Sequence, residues 1–113
     1  MKLHIPMSLS PLSQEQKKQF RKIGHQLKPV VTISDNGFSE GVWTELERAL
    51  EDHELIKVKC NFLDRDDKAA VIEAICDRTG AVTAQTIGKV ALLYRPAKKP
   101  NPKLSNILRY QTL

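Results

Sequence analysis

The sequence predicts one α/β domain in two or three layers. A four-stranded mixed sheet carries packed helices, in the order helix, strand, helix, strand, helix, strand, strand. Three observations lead there. The 113 residues, 41% of them apolar, suit one domain built on one core. Apolar spacing switches repeatedly between the helical period and strict alternation. Strands separated by helices require crossovers within one sheet, and two closing strands joined by a short turn add an antiparallel edge.

Residues 1–11 read as a flexible leader. They lack the long apolar core of a secretory signal, Pro6 and Pro11 break any helix, and Met7 is an alternative start. Ser13 can cap a first helix over Gln14–Leu27, with Gln16 in the capping-box position. Phe20, Ile23 and Leu27 share one face of it, while Lys17, Lys18, Arg21, Lys22 and His25 cover much of the rest. Lys28-Pro29 ends it, since the residue before proline avoids helical geometry. Val30–Ile33 is a β-branched strand followed by the turn Ser34-Asp35-Asn36-Gly37.

Ser39 or that turn caps a second helix reaching Asp52. Val42, Leu46, Ala49 and Leu50 point inward, Trp43 flanks them, and Glu45, Glu47 and Glu51 make the outer side acidic. Leu55–Phe62 alternates, with Ile56, Val58, Cys60 and Phe62 on one face and Lys57, Lys59 and Asn61 on the other. This is the pattern of a half-exposed strand with a basic open face. Asp64–Asp67 caps a third helix through Arg78 with the stripe Val71, Ile72, Ile75 and Cys76, and Gly80 stops it. Val82–Ile87 and Val90–Arg95 form a hairpin around Gly88-Lys89. Residues 97–113, rich in Lys, Pro and Asn, read as an exposed basic tail beyond a domain spanning 12–96.

Charge is segregated along the chain. Residues 1–33 carry six Lys/Arg against Glu15 alone, residues 34–87 six against twelve acids, and residues 88–113 six against none. Charge runs ordinarily make a solvated surface. Two basic ends around an acid-rich middle favour a polyanion partner, provided the ends meet in the fold. The stretch Leu27–Gly41 supplies a place for a phosphate. A strand, a polar turn and a helix start aim free N–H groups and a positive dipole end at one point.

No catalytic or metal set assembles. His4, His25 and His53 are scattered, Arg65 and Lys68 interleave Asp64, Asp66 and Asp67, and neither phosphate-binding glycine motif occurs. Cys60 and Cys76 fall at apolar-facing positions and read as small buried hydrophobes suited to a reducing cytoplasm. No apolar run approaches the roughly 20 residues of a membrane span. The class expected is therefore a non-enzyme with no metal, small-molecule cofactor or membrane partner.

The segments L-K-P-V-V-T-I-S-D-N-G-F-S-E-G-V, H-E-L-I-K-V-K and Q-T-I-G-K-V-A-L-L-Y-R-P resemble, in order and spacing, the bacterial YhbY family of the CRM (CRS1-YhbY) RNA-binding domain. The similarity covers about Leu12–Pro96. It implies a fold like the C-terminal domain of translation initiation factor three. It also implies a monomeric cytoplasmic protein that binds ribosomal RNA in precursors of the large (50S) subunit and assists their assembly. The family's G-x-x-G loop maps onto Ser34, Asp35, Asn36 and Gly37, with Ser34 in the first glycine's place. The expected RNA contacts are these four with Lys17, Lys18, Arg21, Lys22, Lys28, Lys57, Lys59, Lys89 and Arg95, the first helix, loop and tail making one phosphate-binding face. With 5% aromatics, backbone and shape readout are favoured over base stacking. The alternative is a protein-interaction adaptor contacting basic ribosomal or assembly proteins through the acidic helices.

Overall fold

The computed structural model describes residues 12–34, 38–61 and 64–111. Helix α1 (Gln14–Gly24) begins at the expected capping box. Ser13 Oγ accepts from the Gln16 N–H at 3.0 Å, and Gln16 Oε1 accepts from the Ser13 N–H at 2.9 Å. The α-helix stops three residues before the expected Leu27. There the N–H groups of Gln26 and Leu27 bond to the carbonyls of Ile23 and Gly24, three residues back, which tightens the last turn. A Cβ on Gly24 would lie 3.0 Å from Leu92 Cδ2, so the glycine lets the helix end press onto the sheet.

Strand β1 (Pro29–Ile33) leads to α2 (Glu40–His53), where Ser39 Oγ accepts from the Val42 N–H at 3.2 Å. Strand β2 (Leu55–Cys60) leads to α3 (Arg65–Thr79), capped by Asp64 at one end and closed at the other by Gly80 in the left-handed region, φ 81°. Strands β3 (Val82–Ile87) and β4 (Val90–Tyr94) turn at Gly88, whose φ of 55° suits a tight hairpin, and a short α4 (Asn106–Arg109) follows.

The strands lie in the order β1-β2-β4-β3. β1 and β2 are parallel, and β4 is antiparallel to both β2 and β3, so the sheet is mixed. Alternation along the strands divides the core in two. Ile56, Val58, Cys60, Ala91 and Leu93 meet Leu46 and Leu50 of α2 and Ile72 and Ile75 of α3. Leu55, Ala84 and Leu92 meet Phe20 and Ile23 of α1 on the opposite face. Of the two expected arrangements, three layers are realised.

Two expectations need correction. The face of β2 bearing Lys57 and Lys59 is not simply open. Both lysines are only half exposed, because Leu55, Lys57 and Lys59 point toward the α1 layer, and Lys57 Nζ donates to the Leu27 carbonyl at 3.1 Å. The second concerns the segment after Pro96, which returns to the domain rather than trailing as an exposed tail. Ser105 and Asn106 are buried, and Ile107 and Tyr110 pack on the α1-side core.

The anchor for this return is Glu54, a buried acid at the end of α2 with φ 62° and ψ −46°. Its Oε2 accepts from the Ala97 N–H at 2.7 Å, and its Oε1 accepts from Ser105 Oγ at 2.6 Å. Asn106 Nδ2 donates to the Leu55 carbonyl at 2.7 Å. A positive φ on a non-glycine residue costs of order 1–3 kcal/mol and persists where surrounding bonds over-determine it. At Glu54 they do.

Candidate nucleic-acid interface

The parallel pairing of β1 and β2 brings their C-terminal ends together, and β4 begins beside them, with Lys59 opposite Val90. Ser34, Asn61 and the Gly88-Lys89 turn therefore gather at one end of the sheet. The Cys60 N–H donates to the Lys89 carbonyl at 2.7 Å, and the Lys68 ammonium donates to the Gly88 carbonyl, which ties the hairpin to α3.

α1 is 11 residues long and stops over Leu92, so among the described residues it does not cover the part of the sheet nearer this end. Val90 and Ile87 pair across the hairpin on the α1 face, and Ile87 is 62% exposed. A hollow of about 200 Å³ lies at the helix terminus, lined in part by Gly24, His25, Lys57, Ile87 and Val90.

Basic residues frame this surface. Lys17 and Arg21 are half exposed on α1, Lys18 and Lys22 fully exposed, and Lys28 and Lys89 stand exposed beyond it. With Lys59 they form no ion pair, since both ion pairs among the described residues belong to Arg95. Seven unneutralised cations on one side of the sheet make a positive field that an anion would relieve. The acids of α2 and α3 decorate the other side, including Glu45, Glu73 and Asp77.

Arg95 departs from that face. It follows Tyr94, and one step along a strand reverses the side-chain direction. Its Nη1 lies 2.8 Å from Glu47 Oε1 and donates to the Thr79 carbonyl at 3.0 Å, while Nη2 lies 3.5 Å from Glu51 Oε1. Arg95 is thus a brace between α2 and the end of α3. Lys98 and Lys99 follow it, their backbone N–H groups donating to Glu51 Oε2 at 2.9 and 3.4 Å. The C-terminal cations consequently divide: these lie with α2, while Arg109 lies near α1.

Asp35, Asn36 and Gly37 fall outside the described residues. The residue after them, Phe38, stacks on Trp43 with centroids 4.4 Å apart, and the Arg78 guanidinium covers Trp43 at 4.2 Å. The Trp43 ring is thus engaged by two partners within the protein, which makes it an anchor for the start of α2. Composition hinted at nothing of this role.

Both cysteines are free thiols, Cys60 buried and Cys76 half-buried. Burial pushes both the Cys60 and Cys76 thiols up from their ordinary value. For Cys60 the Lys68 charge offsets this in part; for Cys76 the Thr83 hydrogen bond does so while Asp77 adds to the rise. Among the described residues no three His, Cys, Asp or Glu side chains are grouped to hold a metal, and no helix is long and apolar enough to cross a membrane.

The geometry agrees with what known sequences show. The profile of the CRS1 / YhbY (CRM) domain matches residues 12–95. The chain belongs to this family. It is 56% identical over 99 residues to a probable RNA-binding protein of Pseudomonas aeruginosa, covering 88% of this chain and 95% of the relative. An RNA-binding protein of Haemophilus influenzae is 44% identical over 96 residues, with 85% and 97% covered. The solution structure of a Staphylococcus aureus protein superposes with a TM-score of 0.65 at 31% identity, covering 83% of this chain and 97% of that one. In this CRM domain the match ends at residue 95, so α4 and the partners of the Glu54 carboxyl lie beyond the matched region.

Proposed function

We propose that this protein binds RNA, specifically ribosomal RNA within precursors of the large ribosomal subunit, and assists their assembly in the cytoplasm as a monomer without catalysis. One observation supports it most: in a CRM domain, α1 and the strands and turns beside it carry seven cations with no acidic partner among the described residues. The relatives named for RNA binding point the same way. Lys17, Lys18, Arg21 and Lys22 would take phosphates along one strand, with Lys28, Lys59 and Lys89 extending the track. The segment Ser34–Gly37, which follows β1 in the chain, would contribute backbone N–H groups.

The adaptor reading has less support. Of the acids it would use, Glu47 and Glu51 already bond to Arg95, and Glu51 also holds the Lys98 and Lys99 backbone. Filter binding to structured ribosomal RNA fragments tests the proposal. Affinity should fall by orders of magnitude between about 50 and 200 mM salt as counterions are released. Flat affinity across that range would reject it. Crosslinking in cells, with sequencing of the bound RNA, tests the ribosomal assignment.

A further inference from the structure

A cleft of about 240 Å³ opens where the turn after α1, the start of β2 and the C-terminal helix converge. Lys28, Val30, His53, Lys57, Arg109 and Tyr110 contribute to its wall, and no carboxylate of the described residues lines it. The volume is several times the ~30 Å³ share of a water molecule, enough to admit a hydrated phosphate group.

The cations around it are available, and two of the three are held by hydrogen bonds. Lys28 is exposed with no partner among the described residues. Lys57 gives one N–H to the Leu27 carbonyl and keeps two. Arg109 donates through Nη1 to Asn106 Oδ1 at 3.2 Å and lies over the Tyr110 ring at 5.1 Å, which restrains the guanidinium.

The position of Arg109 comes from buried bonds upstream. Ser105 Oγ accepts from the Leu108 N–H at 3.2 Å while donating to Glu54, and Asn106 holds β2. His53 Nδ1 lies 2.9 Å from the Leu104 carbonyl and closes the same segment against α2. Folding thus brings together three like charges from positions 28, 57 and 109, with no acid among the described residues lining the cleft to offset them. Their repulsion is relieved when an anion enters. A planar guanidinium beside two ammonium groups suits a phosphate, which the fork can engage through two parallel hydrogen bonds.

We propose that this cleft receives a phosphodiester of the bound RNA, so that the C-terminal segment beyond the family-matched region extends the RNA surface. The proposal rests on the RNA-binding reading, and its test separates the two. In the full chain, Arg109→Glu should weaken binding to structured ribosomal RNA about 10-fold and reduce the salt slope by about 1, with the melting temperature nearly unchanged. Arg109→Lys, which keeps the charge, should bind almost as the parent does. If Arg109→Glu keeps parental affinity and slope while charge reversal on α1 removes binding, the cleft is wrong and the RNA reading stands. If the parent chain itself shows no salt-dependent RNA binding, the RNA reading fails and the phosphodiester with it. Titration with inorganic tripolyphosphate, followed by NMR, asks about the anion site alone. Shifts centred on Lys28, Arg109 and Tyr110 support it, and their absence overturns it.

Discussion

The two faces of the sheet do different work. The face under α2 and α3 buries a continuous set of side chains from Val31 to Leu93, thirteen of the described residues, whereas the α1 face buries five. The first supplies most of the apolar burial that stabilises the chain. Among the described residues, α1 covers the second only as far as Gly24 and leaves Val90, Ile87 and Lys59 beside cations with no ion pair. A binding surface cannot also be a fully packed one, so the RNA interface proposed above falls on the less packed side of the sheet.

Breaking the basic side should have the largest effect. Replacing Lys17, Lys18, Arg21 and Lys22 together by Glu is expected to lower RNA affinity about 1,000-fold, roughly 4 kcal/mol. Filter binding checks this, with a thermal melt showing a stability change of no more than a few tenths of a kcal/mol for such surface positions. The converse falls on the other side. Leu46→Ala, at a fully buried position, should cost about 3 kcal/mol in urea unfolding while the folded fraction keeps its RNA affinity.

Glu54→Ala tests how the C-terminal segment is held between the two. It leaves the Ser105 hydroxyl proton and the Ala97 N–H without their acceptor, and about 2 kcal/mol should be lost, with faster hydrogen exchange over residues 97–109. Arg95→Ala sharpens the comparison with the smallest effect. It should remove about 1 kcal/mol of stability, measured by denaturant titration, and leave RNA affinity and salt slope as they were. A weakened slope would return Arg95 to the binding face.

Much of the fold was legible because its signals are local. Ser13 with Gln16, Ser39, Asp64, Gly80 and Gly88 each act within a few residues, and each terminates or turns the chain where it was expected to. The early end of α1 was less legible, because Gly24 against Leu92 is a contact between segments far apart in sequence. For the site, the cations of α1 could be read from helical spacing. Arg95 was misplaced because its partners lie 44 and 48 residues away, and nothing in a basic run distinguishes a brace from a phosphate ligand. Lys57 was placed on a basic face correctly, yet the carbonyl it bonds belongs to the turn after α1.

The sequence by itself determined the order of strands and helices, their caps, and the unequal distribution of charge. Periodicity and capping depend on neighbours within about one or two turns, so a linear reading reaches them. Only the tertiary structure decided which charges share a surface. It turned Lys57 and Lys59 toward α1 and Arg95 toward α2, and it divided the C-terminal cations between the two sides. It also folded residues 97–111 back onto Glu54 and set Arg109 beside Lys28. Those outcomes follow from strand pairing and from a buried carboxyl that takes its hydrogen bonds from residues more than 40 positions away, which no local pattern encodes.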